Sequence, residues 1–387
     1  MILREKLLNA VRQHLQNLPA VALLGPRQTG KTTLARELAN LMQGRLFDLE
    51  DPSDVVALQN PMLALGSLRG LVVLDEVQRA PHLFPILRVL LDRPDSPAQF
   101  LLLGSASPHL VKGVTESLAG RVAFLEMQGF QLEEIGAEEM RTLWTRGGFP
   151  RSFLAKNDKQ SFLWRKDFIR TFIEKDFALL GLGATPKSLG RLWSMAAHYH
   201  GQILNASELG RSLGETNKTV QRHLDLLSGG FMLRLLPPWF ENLGKRLVRS
   251  PKLFLRDSGL LHGLLSVTDE MALLRHPKLG ASWEGFAMEQ LLQRLPHVEP
   301  YFWATQGGAE LDLFFEMSGQ RFGFEFKVDD APRMNRSMDV ACNDLKLDRL
   351  YVTPNSKPYL LSETVEVISL NGLLQKLGEL DLNIGGN

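Results

Sequence analysis

The string VALLGPRQTGKTTLARELANLM, residues 21–42, most narrows what this chain can become. Val21 to Leu24 form a short apolar run that reads as a buried strand, and a helix is predicted to start near Lys31. Between them lies Gly25, Pro26, Arg27, Gln28, Thr29, Gly30, Lys31, Thr32, Thr33, which contains the spacing GxxxxGK[ST]. Glycines at both ends let the main chain close around an anion, so that successive N–H groups and the helix N-terminus face the same phosphates. Lys31 is expected to reach the β and γ phosphates and the Thr32 hydroxyl to hold Mg²⁺, which makes ATP/ADP and Mg²⁺ the expected cofactors.

A strand-turn-helix of this kind needs a sheet around it, and the next hundred residues supply the strands. GLVVLDEVQRAP carries an apolar run, Leu71 to Leu74, ending in Asp75 and Glu76. That is the pattern of a buried parallel strand whose C-terminal tip faces a ligand. Asp75 is assigned to the Mg²⁺ shell and Glu76 to the attacking water. In QFLLLGSAS, the strand Phe100 to Leu103 is followed by Ser105, a candidate sensor of the γ phosphate. In ESLAGRVAFLEM, Arg121 stands just ahead of a further strand, a candidate finger in its own subunit or a neighbour's; the same residue also reads as an ordinary surface arginine. With Arg45 to Asp51 as a strand, five strands alternate with helices, predicting an α/β, doubly wound parallel sheet. No Asn-Lys-x-Asp base-reading string follows, which favours ATP over GTP.

A chain of 387 residues exceeds one ordinary core and predicts two or three domains. Its 44 Lys plus Arg against 43 Asp plus Glu leave no global field toward nucleic acid or membrane, so any such attraction must be local. Cys342 is the single cysteine, which excludes an internal disulfide or a cysteine-rich zinc site and fits a reducing, cytoplasmic compartment. MILREKLLNAVRQHLQNLP spaces Leu3, Leu7, Leu8, Val11 and Leu15 on one helical face among charges, unlike a signal peptide or membrane span. No internal repeat or low-complexity tract is visible.

The strings GPRQTGKTTL, LDEVQRAP, LLLGSAS and SLAGR, with RGGFP and SPKLFLRDSGLL further on, resemble the AAA-type P-loop ATPases of bacteria and archaea that carry a conserved C-terminal domain of unknown function. The resemblance spans roughly residues 15–370. It implies an ATPase domain over 1–135, with a departure at MQGFQLEEI (127–135), where such proteins more often show a Pro-Leu-Ser-like turn.

Beyond that domain, 136–184 reads as a helical connector or lid broken at Gly147-Gly148-Phe149-Pro150. Residues 185–275 hold a helix-turn-helix pattern and read as a winged-helix region. Asn205 or Ser207 caps a first helix, Gly214 turns the chain, and a second helix sets Val220, Leu224 and Leu227 against Asn217, Lys218, Gln221 and Arg222. Its three basic and three acidic residues over 205–227 give little drive toward phosphates, so a packing or protein-contact role stays open beside DNA binding. The stripe KRLVRSPKLFLR, 245–256, adds Lys245, Arg246, Arg249, Lys252 and Arg256 without an acid, either a grip on a DNA backbone or a solvated face.

In 276–387, GAELDLFFEMSGQRFGFEFKV is predicted to fold as a hairpin around 317–320. Strict alternation puts Glu325 and Lys327 on one face of the second strand, and Glu310 and Asp312 share a face of the first. Asp312, Glu325 and Lys327 form the Asp…Glu-x-Lys arrangement of a nuclease-like superfamily, with Glu284 on a preceding helix completing a second metal set. The alternatives are a cross-strand salt bridge on a solvated sheet, or a metal site that binds nucleic acid without cutting it. The expected protein is an Mg²⁺-dependent ATPase controlling a DNA-interacting, nuclease-like small α/β C-terminal half. Homo-oligomers are expected if Arg121 acts across subunits, and no membrane partner is expected.

Overall fold

A computed structural model describes residues 2–94, 98–105, 116–176, 185–240, 249–328, 331–354 and 357–384. The chain forms two compact units, Met1–Gly129 with Gly229–Phe231, and Phe130–Ser228 with Met232–Asn387.

The first unit is built on strands β1 (Ala20–Gly25), β2 (Arg45–Asp48), β3 (Gly70–Asp75), β4 (Ala98–Ser105) and β5 (Val122–Glu126). Their order across the sheet is β2-β3-β4-β1-β5, and every pairing is parallel. Because side chains alternate along a strand, each strand feeds two cores. Ala20, Ala22, Leu24, Val72, Leu74, Phe100 and Leu102 pack with Leu83, Phe84, Leu87 and Leu90 of helix Leu83–Leu91 on one face. Val21, Leu23, Leu71, Val73, Leu101 and Leu103 pack with Leu8, Val11, Leu15, Leu34 and Leu38 on the other. β1, β3 and β4, buried almost throughout, show why apolar runs replace alternation here: both sheet faces are covered.

The second unit holds two sheets. In the smaller, β6 (Gln202–Ile203) and β7 (Leu233–Leu236) flank β8 (Lys252–Leu255), both antiparallel to it. Helices Pro186–His198, Ala206–Leu213 and Asn217–Gly229 precede or interleave with these strands. The Asn205 side chain caps the second of these through Glu208 N at 3.1 Å, and Gly214 turns the chain at φ +71°. Phe149, Phe168, Phe172, Leu189, Trp193, Leu224, Leu253 and Leu261 belong to one core. The boundary expected at 184/185 therefore separates no independent cores.

Two glycine motifs are explained by what they touch. Asp257 caps helix Ser258–Leu264 through Leu260 N at 2.8 Å and accepts the Gly148 N–H at 2.8 Å with its other oxygen. Gly147, at φ +78°, lies so close that a Cβ there would sit 2.3 Å from Asp257 Oδ1. A Cβ on Gly259 would lie 2.1 Å from the Arg146 carbonyl oxygen. Arg165, wholly buried, donates to the Thr145 and Gly259 carbonyls at 3.2 and 3.1 Å, fastening the same crossing. The RGGFP and RDSG strings are thus the two halves of one interlock.

The larger sheet runs β13-β14-β12-β11-β10-β9, with β9 (Tyr301–Ala304), β10 (Glu310–Met317), β11 (Gln320–Phe326), β12 (Arg349–Thr353), β13 (Tyr359–Leu360) and β14 (Val365–Val367). β10 and β11 form the expected hairpin, with Met317 opposite Gln320 and Ser318 and Gly319 both at positive φ. β11 then pairs in parallel with β12 through the crossover helix Arg336–Leu345. This makes β11 an interior strand: Phe322 through Phe326 are all buried, so the solvated-sheet alternative does not hold.

Gly259→Ala is expected to lower unfolding stability by about 2–4 kcal/mol, because two backbones must separate to admit a methyl group. Urea denaturation measures it; an unchanged midpoint would mean that the crossing is looser than its contacts indicate.

Candidate functional site

The phosphate loop leaves the C-terminal tip of β1, an interior strand of the first unit's sheet between β4 and β5. Register places Gly25 beside Ser105 at the tip of β4, and β4 in turn pairs with β3, which ends in Asp75. All these residues share the edge where open parallel sheets bind ligands. The turn itself needs unusual backbone: Gln28 at φ +64° and Gly30 at φ +96°. Gly25 has no room for a side chain, since a Cβ would lie 2.0 Å from the Met127 carbonyl oxygen. Met127 N donates to Leu24 O at 2.7 Å, and Arg4 fixes the following residues by donating to the Gln128 and Gly129 carbonyls at 2.7 and 3.0 Å. Met127 therefore packs directly against the start of the loop.

Inside the loop, Lys31 Nζ donates to the Gly25 and Pro26 carbonyls at 2.9 and 2.7 Å, and Thr29 Oγ1 donates to Pro26 O at 3.0 Å. Burial pulls the Lys31 ammonium down to about 8, against the Glu76 and Asp75 charges that favour it. Arg27 is half-buried, Gln28 exposed, and Thr33 exposed on the first turn of helix Lys31–Leu41. Thr32 Oγ1 donates to Asp75 Oδ2 at 2.6 Å, and Asp75 Oδ1 accepts the Glu76 N–H at 2.9 Å. A hydroxyl and a buried carboxylate meeting at a strand tip are hard oxygen donors of the kind that fit Mg²⁺ alongside phosphates and water.

Glu76 has left-handed backbone, φ +54° and ψ +41°, a conformation costing roughly 1–2 kcal/mol outside glycine. Burial raises its carboxyl above the ordinary range, while Lys31 and Arg27 pull it back. Gln78 Nε2 donates to Glu76 Oε2 and, at 3.0 Å, to Ser105 Oγ. Gln78 was not singled out from the sequence. Its signal was there, an amide two residues beyond the acid and inside a tight turn, Val77–Arg79.

Arg121 is placed elsewhere. It precedes β5, and Val122 pairs with Ala20, the first residue of β1, so it stands at the N-terminal edge, about 16 Å of strand from the loop. There it pairs with Asp92 at 2.5 and 2.9 Å. The expectation that it serves the phosphate of its own subunit is corrected by this register.

In the second unit, Glu284, Asp312, Glu325 and Lys327 do come together, with two residues not assigned to the cluster. Lys252, on β8, has a buried side chain whose Nζ contacts Glu284 Oε1 at 3.2 Å and Glu310 Oε1, with Asp312 Oδ1 at 3.9 Å. Lys327 donates to Glu325 Oε1 at 2.5 Å, and Asp312 Oδ2 accepts Phe326 N at 2.9 Å. Burial first and the Asp312 charge second push Glu284 up to about 8 and Glu325 up to about 7. Burial works against the Lys252 ammonium, yet Glu284, Asp312 and Glu310 hold it above the ordinary lysine range. Among the described residues, no group of three or more His, Cys, Asp or Glu is arranged to hold a metal ion. Of the acids expected as a metal set, Glu284 meets Lys252 at 3.2 Å, Glu325 meets Lys327 at 2.5 Å, and Asp312 stands 3.9 Å from Lys252.

The basic stripe is corrected as well. Lys252 points inward, and Arg256 bonds the buried Glu289 at 3.1 Å, which Arg234 also holds at 2.9 Å. Arg249 is exposed, while Lys245 and Arg246 lie outside the described residues. His200 and His262 are buried among main-chain partners and pushed by burial down to about 3, so they stay neutral and structural. No helix among the described residues is long and apolar enough to cross a membrane.

Comparison with known proteins follows the same division. Residues 17–136 match an AAA domain, 137–271 a domain of unknown function (DUF8612) and 279–373 another (DUF4143). Over 365 residues the chain is 48% identical to the uncharacterized protein Rv2008c of Mycobacterium tuberculosis, covering 94% of this chain and 83% of that one. The uncharacterized protein Mb2031c of Mycobacterium bovis gives the same identity and coverage. Among solved structures, a Walker-type ATPase of Pyrococcus abyssi is 15% identical, covering 68% of this chain and 96% of that one, with a TM-score of 0.49. The RuvB Holliday junction branch migration motor of Thermotoga maritima is 20% identical, covering 61% and 90%, with a TM-score of 0.30.

Lys31 must be an ammonium to hold phosphate but is neutral above about pH 8 in the free protein. Nucleotide affinity is therefore expected to weaken about tenfold between pH 7 and 9. Calorimetric titration over that range checks it; a flat profile would mean that Lys31 stays charged throughout.

Proposed function

The chain belongs to the family of these mycobacterial proteins, an AAA-type ATPase domain followed by domains of unknown function, and we propose that it is an Mg²⁺-dependent ATPase whose nucleotide state controls what the C-terminal half engages. The observation that carries this reading is the continuous set of contacts along one sheet edge: Lys31 in the loop, Thr32 on Asp75, Glu76 on Gln78, and Gln78 on Ser105.

In this reading the loop carbonyls of Gly25 and Pro26 stand in for the triphosphate. When ATP enters, Lys31 exchanges them for the β and γ phosphates, and the N-terminus of helix Lys31–Leu41 adds its dipole. Thr32 and Asp75 would hold Mg²⁺, which when bound would supply charge neutralisation to the phosphates. Glu76 accepts the proton of the attacking water, and its raised basicity suits that task. Gln78 fixes which way that carboxylate faces, and Ser105 ties Gln78 to the neighbouring strand tip. Arg121 serves as a finger only on the phosphate of another subunit, which makes homo-oligomers part of the proposal.

For the C-terminal half, the order of helices and antiparallel strands around β6, β7 and β8 supports a winged helix. Helix Asn217–Gly229 buries Val220, Leu224 and Leu227 and leaves Asn217, Lys218, Gln221 and Arg222 exposed. That face is offered to DNA in the leading reading. A protein partner is the second reading, favoured by the inward turn of Lys252 and Arg256, which removes two of five charges from the stripe meant to grip a backbone. The proposed location is cytoplasmic, in keeping with a single cysteine.

Glu76→Gln is expected to bind ATP normally and hydrolyse it about 100-fold or more slowly. Gln78→Ala is expected to lose about 10–100-fold in turnover at unchanged ATP affinity, since it orients the base without touching nucleotide. Steady-state turnover with parallel binding measures both. Unaltered hydrolysis in Glu76→Gln would remove its role. For the second half, retention on DNA that falls steeply with salt supports nucleic acid, and salt-independent indifference to DNA supports a protein partner.

A further inference from the structure

A nuclease-like sheet of this topology would need a divalent cation between Glu284, Asp312 and Glu325, and the residues around that point do not fit one. Lys252 occupies the centre. Its strand, β8, is buried at every position, so the side chain has no route outward, and its ammonium meets three carboxylates from two other elements. Glu284 comes from helix Leu279–Arg294, and Glu310 and Asp312 come from β10. The Phe302 ring, 5.5 Å from Nζ, closes one side of the pocket with an aromatic face that also prefers a cation.

Two further acid oxygens are engaged as well. Asp312 Oδ2 takes the Phe326 N–H, and Glu325 Oε1 takes Lys327. Glu325 Oε2 alone is buried without a hydrogen-bond partner. One orphaned oxygen does not make a metal site; Lys327 bonds the same carboxylate, and the Lys252 charge also bears on it. Four carboxyls, Glu284, Glu310, Asp312 and Glu325, face two lysines, and protons held by Glu284 and Glu325 make up the balance near neutrality.

We propose that Lys252 is a tethered counter-cation standing where a divalent metal would have to bind, so that this cluster is a metal-free structural lock rather than a hydrolytic centre. It joins β8 of the smaller sheet to β10 and to helix Leu279–Arg294, three elements distant in sequence. The acid-rich motif is thereby turned from coordination to cohesion. The inference rests on the second unit alone and stands or falls apart from the ATPase reading.

The test is Mn²⁺ binding, followed by paramagnetic resonance of free Mn²⁺, in nucleotide-free full chain carrying Asp75→Asn to silence the other carboxylate site. This protein is expected to show no Mn²⁺ site that depends on Glu325. Adding Lys252→Met is expected to create one site per chain, at least about tenfold tighter than any background binding, that is lost again with Glu284→Gln. A Lys252-containing protein that binds one Mn²⁺ and loses it on Glu325→Gln would overturn the proposal. So would a folded Lys252→Met protein that gains nothing. Should Lys252→Met fail to fold, the Glu325→Gln comparison still decides, and the failure agrees with a cohesive role.

Discussion

The chemistry proposed for the first unit depends on one buried ammonium. Lys31 opens helix Lys31–Leu41, and two carbonyls of its own loop hold its ammonium. That arrangement is tolerable because backbone oxygens, Asp75 and Glu76 offset the cost of burying a charge, yet burial still makes Lys31 easier to deprotonate. A triphosphate would reverse the imbalance. The sheet's contribution is to bring β1, β3 and β4 to a common edge, so that Thr32, Asp75, Glu76 and Ser105 stand around the same point, with Gln78 linking the last two.

The second unit handles buried charge differently, by enclosing it completely. Glu289 lies between Arg234 and Arg256, which hold it below the ordinary carboxylate range although burial works the other way. Arg165 is spread over main-chain carbonyls, and burial brings it down to about 10. Lys252 is enclosed by acids. Breaking any such set by removing one partner leaves an uncompensated charge inside, which costs more than the intact set contributes. These contacts therefore specify which elements meet, while the Phe149 to Leu261 core supplies the bulk of the burial.

How much of this was legible in the sequence follows from range. The phosphate loop was readable because Gly25, Gly30, Lys31 and Thr32 meet within one turn, where spacing dictates geometry. The hairpin at 317–320 and the two faces of helix Asn217–Gly229 were readable for the same reason. Arg121 was not, because lying ahead of a strand says nothing about which sheet edge it occupies; the pairing of Val122 with Ala20 decides that. The basic stripe misled because charge was counted without direction, and Lys252 turns inward from a strand with no exposed face. The acids at 284 and 312 share a cation from 252, a partner that no local pattern could supply.

The central claim is that a triphosphate replaces the Gly25 and Pro26 carbonyls as the partner of Lys31. Isothermal titration of folded wild-type chain with MgATP tests it most directly, with Lys31→Ala as the companion. The account requires uptake of one nucleotide per chain, abolished in Lys31→Ala. No uptake by folded wild type, or equal uptake by both proteins, would contradict it.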